Sequence, residues 1–239
     1  MNDGLGVELT LLSGGVVLGM MAGRLCAWGA SRLPAILEHQ WQEDARELLG
    51  LESAKRLELR LTEPSRSEVW RVQVVCAVLT LVATMHFGAT AQALFALLLT
   101  WCLLVLSLID KEHHILPDVL VMPGIWSGLV VNAFGVFTSL EAALWGAVAG
   151  YMGLWSMNQL VRLITGRDSM GRGDFKLLAM IGAWGGLHAL GWTLVLSQLA
   201  AALTALYLKL QGKVTTTSEL PFGPFLSAAG WGSILFLTP

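Results

Sequence analysis

The sequence predicts an all-α, polytopic membrane protein of about eight transmembrane helices. Three observations lead there. Of 239 residues, 55% are hydrophobic and only 13% charged, whereas a soluble domain covers its surface with about 25% charged residues. The charges are clustered, so that runs 9–23, 72–109, 119–140, 142–161, 177–208 and 220–239 hold no Asp, Glu, Lys or Arg. Cut into eight spans, these runs confine all 15 Lys and Arg to alternate loops. The mean hydropathy of +0.65 agrees. A net charge of −2 without any basic stripe excludes a nucleic-acid partner, and leaves the lipid bilayer as the surrounding medium.

The first span, over 9–23, follows Asp3 and Glu8 where a cleavable signal would carry basic residues, so it reads as a permanent anchor. Run 72–109 would reach about 57 Å as one helix, nearly twice a hydrocarbon core of roughly 30 Å. It therefore forms two spans turning near His86-Phe87-Gly88. Runs 119–140 and 142–161 supply one span each. Run 177–208 is divided at Gly182-Ala183-Trp184-Gly185-Gly186, where glycines favour a break. Run 220–239 supplies the last.

Orientation follows from the positive residues. Eight (Arg24, Arg32, Arg46, Lys55, Arg56, Arg60, Arg66, Arg71) lie between the first two spans. Lys111 follows the third, and Arg162, Arg167, Arg172 and Lys176 follow the fifth. Lys209 and Lys213 follow the seventh. Positive loops stay cytoplasmic, so both termini are expected on the periplasmic side. The organisation read from this is a first transmembrane helix over 1–30, a short cytoplasmic segment over 31–70 and a seven-helix membrane core over 71–239. In the middle segment Leu37, Trp41, Ala45, Leu48 and Leu49 recur at helical spacing among eight acidic residues, as in an amphipathic helix at the membrane surface. Cys26, Cys76 and Cys102 form no C-x-x-C, so no metal site and no disulfide framework is expected.

Acidic residues beside membrane spans are costly and are functional candidates by default. Asp110 ends the third span, Asp118 opens the fourth and Asp174 opens the sixth. Asp118, after Pro117, also suits the first turn of a helix as a simple dipole partner. Gly171-Arg172-Gly173 before Asp174 permits unusual backbone conformations and close approach of another chain. Asp110 and Asp174 fall at cytoplasmic helix ends, where packing could join them. A close carboxylate pair shares one proton, with one member activating water while the other donates. Considering each aspartate's own helix alone, the N-terminal position favours an anion at Asp174 and the C-terminal position a protonated Asp110.

Asp110 followed by Leu116-Pro117-Asp118, together with Gly171-Arg172-Gly173-Asp174-Phe175-Lys176, resembles the type IV prepilin peptidases, bacterial inner-membrane leader peptidase/N-methyltransferases. Arg32-Leu33-Pro34 and Pro221-Phe222-Gly223-Pro224-Phe225 are similar to further family stretches, and the likeness runs from about residue 14 to the C-terminus. The resemblance implies a multi-pass inner-membrane aspartic endopeptidase with its active site facing the cytoplasm. Asp110 and Asp174 would be catalytic. Asp118, Gly171, Gly173, Glu112, His113 and Lys176 would support them. Substrates would be type IV prepilins or the pseudopilins of type II secretion, cut after the basic leader. S-adenosylmethionine-dependent methylation of the new N-terminus would follow in the bifunctional members.

Those members carry two C-x-x-C pairs after the first span, which this chain lacks; zinc is not expected, and the departure bears on methylation while leaving the peptidase aspartates in place. Two other classes compete, a non-cleaving pilus or secretion assembly scaffold and a proton-coupled transporter. The acids lie at one face and no repeat is visible, which disfavours the transporter. Retention of both aspartates disfavours the scaffold. Oligomeric state is left open by the sequence.

Overall fold

A computed structural model describes residues 2–50, 63–166, 171–212 and 221–237. The described residues form seven helices and no strand: α1 (Asn2–Leu48), α2 (Arg66–Phe87), α3 (Ala91–His113), α4 (Asp118–Ala133), α5 (Leu140–Thr165), α6 (Arg172–Leu210) and α7 (Gly223–Phe236). Three of them, α2, α3 and α6, are long and apolar enough to cross a membrane. The chain divides into two compact units, 1–81 and 82–239.

In the first unit, the expected anchor and the expected amphipathic helix are one continuous α1. Pro34, which lacks an N–H, lies inside it without ending it. The reason is visible in the buried face. Gly15, Gly19, Ala22, Gly23, Cys26, Ala27, Ala30 and Pro34 recur every three or four residues and are all buried, so a single stripe runs through the proline. Small residues let α2 approach closely. A β-carbon on Gly19 would lie 2.5 Å from the Ala77 Cα, and one on Gly23 2.6 Å from the Gln73 Cα. The Gln73 side chain donates to the Met20 carbonyl at 3.2 Å. Cys26 and Cys76, fifty residues apart in sequence, are in side-chain contact here. The remainder of the segment after helix α1, 51–62, lies outside the described residues.

In the second unit, the turn predicted near His86–Gly88 falls there: α2 ends at Phe87 and Gly88 takes a φ of 63°. Thr90 then caps α3 by accepting from the Ala93 N–H at 3.2 Å. The centre of this unit is the first half of α6, buried on every side from Leu177 to Gly186. It packs against α4, α5 and α7, while α3 packs on α7 and α4. Glycines set the spacing. A β-carbon on Gly146 of α5 would overlap the Gly182 carbonyl oxygen, and one on Gly182 the Gly146 carbonyl, so the two backbones touch where α5 crosses α6.

Eight helices were expected; seven elements are found among the described residues, because α6 holds two helical stretches that meet at Gly186, within the predicted break. The break expected within Gly182–Gly186 is present as a kink: Gly186 has φ 70° and ψ −170°, a conformation accessible essentially to glycine alone. The carbonyls freed by the kink are taken up by Asn132 of α4. Its Nδ2 donates to the Ala183 oxygen at 2.8 Å and the Trp184 oxygen at 2.9 Å. Its Oδ1 accepts from the Phe137 and Thr138 N–H groups at 3.0 and 3.1 Å. One buried amide thus closes a helix break and a turn together.

Candidate active site

Asp110 occupies the last turn of α3. The chain leaves that helix at His114, whose φ of 53° is left-handed and whose N–H donates to the Asp110 carbonyl at 2.9 Å. Asp174 is the third residue of α6, after Gly171 at the cap position. Both aspartates are buried, at 7% and 9% exposure. Burial at that level in an apolar bundle is expensive for a carboxylate that has no role or partner. Their carboxylates lie close enough to act on one another electrostatically, so the packing does join two helix ends that are 64 residues apart in the sequence.

Of the two glycines before Asp174, Gly173 is the one whose size matters. Neither takes a positive φ. A β-carbon on Gly173 would lie 2.9 Å from the Leu116 Cβ, so its absence admits the Leu116 side chain against the first turn of α6. A β-carbon on Gly171 would stand at ordinary contact distance, 3.7 Å, from the Asp174 Oδ2. The two motifs recognised in the sequence therefore touch: Leu116 covers Gly173, and Asp118 opens α4 and grips Lys176. The Lys176 Nζ donates to Asp118 Oδ1 at 2.7 Å and Oδ2 at 2.8 Å. Two of the expected supporting residues, Lys176 and Asp118, thus pair with one another. Phe175, between Asp174 and Lys176 in the chain, is buried, edge-on to Tyr151 with ring centroids 6.2 Å apart.

Glu112 and His113 are exposed on the final turn of α3. The histidine within electrostatic reach of Asp110 is the next one, His114. The contact that sequence reasoning missed is on α7. The Gly223 N–H donates to Asp110 Oδ2 at 3.0 Å. Gly223 opens α7, with Pro224 in the first turn. Gly-Pro at a helix start is a legible signal of an N-terminus, though not of what that N-terminus meets. The contact also removes the basis for assigning the shared proton from each aspartate's own helix. Asp174 has the N-terminal end of α6, and Asp110 has the N-terminal end of α7.

Among the described residues no group of three or more His, Cys, Asp or Glu could hold a metal ion. Asp110 and Asp174 are two buried, mutually interacting carboxylates at helix ends in an apolar helical protein, the equipment of a peptidase that activates water without a nucleophilic side chain. The model of the type IV leader peptidase family matches residues 97–207, which include both aspartates. A prepilin leader peptidase/N-methyltransferase of Pseudomonas putida is 40% identical over 92% of this chain and 88% of its own length. Proteins of the same name from Pseudomonas aeruginosa (39% identity, 92% of this chain, 89% of the relative) and Legionella pneumophila (36%, 84% of each) are similar over nearly as much. No solved structure matches the chain. The chain belongs to the type IV leader peptidase family. It is an enzyme, an aspartic-type peptidase.

Proposed function

We propose that this protein is a prepilin leader peptidase of the bacterial inner membrane, with Asp110 and Asp174 as its catalytic pair. The observation that carries the reading is the burial of those two carboxylates at helix ends, within electrostatic reach of one another. Water held between them would lose a proton to one carboxylate while its oxygen attacks the scissile carbonyl carbon. The partner, carrying the pair's shared proton, would give it to the leaving amine nitrogen as the C–N bond breaks. The Lys176–Asp118 pair and the Leu116–Gly173 contact support a role for these residues in holding the first turn of α6 in register with α4.

The substrates are type IV prepilins or type II secretion pseudopilins, whose apolar stems lie in the bilayer while the basic leader meets the rim of the bundle. Cleavage occurs on the cytoplasmic side. The confinement of all 15 Lys and Arg to alternate loops supports that orientation, with eight spans and both termini periplasmic. On this reading 1–30 is the first span, 31–70 the cytoplasmic segment and 71–239 the peptidase core. N-methylation of the new N-terminus, with S-adenosylmethionine as methyl donor, is a second activity that the relatives' printed names support.

The test is cleavage of a prepilin in membranes containing the parent enzyme, Asp110→Asn or Asp174→Asn, with the product N-terminus weighed by mass spectrometry. Cleavage by the parent and loss in both variants is the expected result. Full activity in either variant would remove that residue from the pair. A methyl increment on the product reports the second activity separately.

A further inference from the structure

We propose that Gly223 is a positioning residue for the catalytic pair: the N–H at the start of α7 holds one oxygen of Asp110, and the absence of a side chain there is what lets the carboxylate in. The inference rests on the reading of Asp110 as catalytic and adds a third helix to the site. The first N–H groups of any helix have no partner within it. In α7 the Gly223 N–H is directed at Asp110 Oδ2, 3.0 Å away, and both residues are buried. The fit is tight. A β-carbon on residue 223 would stand 2.5 Å from Oδ2, 2.8 Å from Cγ and 3.1 Å from Cβ of Asp110. The carboxylate itself is in the way, and any side chain at 223 displaces the reacting group.

Two consequences follow for the chemistry. An oxygen that accepts an N–H at this distance does not also carry the pair's shared proton in that direction. The hydrogen bond makes Oδ2 the less basic of the two oxygens and so biases proton exchange toward Oδ1. The carboxylate plane is likewise held by backbone, which cannot change rotamer. A pair that must present one proton and one lone pair to the same water depends on such orientation, and a misplacement of about 1 Å costs on the order of 10²-fold in rate. Gly223 touches neither water nor substrate in this account, so it positions Asp110 and does no chemistry.

The experiment compares purified Gly223→Ala, Gly230→Ala, Asp110→Asn and parent enzyme on one prepilin, measuring kcat, KM and melting temperature. Gly230 serves as the packing control, because a β-carbon there would lie 2.5 Å from Ile181 Cδ1 and does not approach Asp110. Gly223→Ala should lower kcat by about 10²-fold with KM nearly unchanged, while Gly230→Ala loses stability but keeps its kcat per folded molecule. A Gly223→Ala enzyme with parental kcat, alongside an inactive Asp110→Asn, would overturn the proposal and leave the pair intact. An active Asp110→Asn would instead sink the reading beneath it.

A second measurement leaves residue 223 as it is and so survives a variant that does not fold. Three Phe–Gly junctions occur in the chain, at Gly88, Gly135 and Gly223. Labelling Phe carbonyl carbon and Gly nitrogen selects their three amides by NMR. One of them should be shifted downfield in the parent and return upfield in Asp110→Ala. If none of the three responds, Gly223 does not hold Asp110.

Discussion

Replacing Asn132 by leucine tests how the kink in α6 is sustained. The residue is 1% exposed and makes four hydrogen bonds, two donated to the Ala183 and Trp184 carbonyls and two accepted from the Phe137 and Thr138 N–H groups. Leucine keeps the same branched heavy-atom skeleton, so the change removes the polar contacts and leaves no cavity; its bulkier methyl groups add overpacking, which makes the hydrogen-bond loss the lower bound on the effect. Hydrogen bonds within membrane helical bundles average about 0.6 kcal/mol and those in soluble proteins about 1 kcal/mol. The set then contributes about 2–4 kcal/mol, most of it through backbone groups left without partners in an apolar interior. For a chain of this size each kcal/mol moves Tm by about 2–4 °C, so Asn132→Leu should melt roughly 5–15 °C below the parent. Heating the detergent-solubilised protein with a thiol-reactive fluorogenic dye gives the readout, since Cys26 and Cys76 are buried and Cys102 half-buried in the folded chain. A leucine variant melting within about 2 °C of the parent would refute the reasoning. The Ala183 and Trp184 carbonyls would then have to be satisfied by something other than this side chain.

Two further outcomes follow from the packing. Gly146→Leu should yield no folded protein by size-exclusion chromatography, because its β-carbon overlaps the Gly182 carbonyl oxygen and lies 2.8 Å from the Gly186 carbonyl carbon, neither of which can swing aside. Gly153→Leu on the same helix, with nothing within 4 Å, should behave as the parent. Asp118→Asn should lower the melting free energy by less than about 1 kcal/mol, since the Asp118 side chain is 59% exposed and water screens its pair with Lys176. Asp118→Lys should cost more, by bringing two cations together. The double reversal with Lys176→Asp should recover most of that loss, short of full recovery because a cation is disfavoured at the start of α4. Equal melting of single and double reversals would show that the ion pair contributes nothing.

Much of this protein was written in the chain itself. Charge-free runs bounded by clustered charges specify apolar helices, because an uninterrupted apolar run has few other ways to satisfy its backbone. Gly182–Gly186 announced the kink, since glycine permits the backbone values that Gly186 takes. Asp110 and Asp174 stood out because acids beside apolar helices are expensive. Tertiary structure decided what each helix face meets. The buried stripe of α1 continues through Pro34, and its Gly19 and Gly23 meet Ala77 and Gln73 of α2, so the helix does not end where a proline suggests. Asn132, an unremarked polar residue in an apolar run, is held by carbonyls about fifty residues further along the chain. Lys176 turns to Asp118, and the N–H of Gly223 reaches Asp110 across 113 residues. Helical periodicity tells which residues share a face, but the partner of that face is settled only by packing, where shape and unsatisfied backbone groups from distant segments must be matched at once.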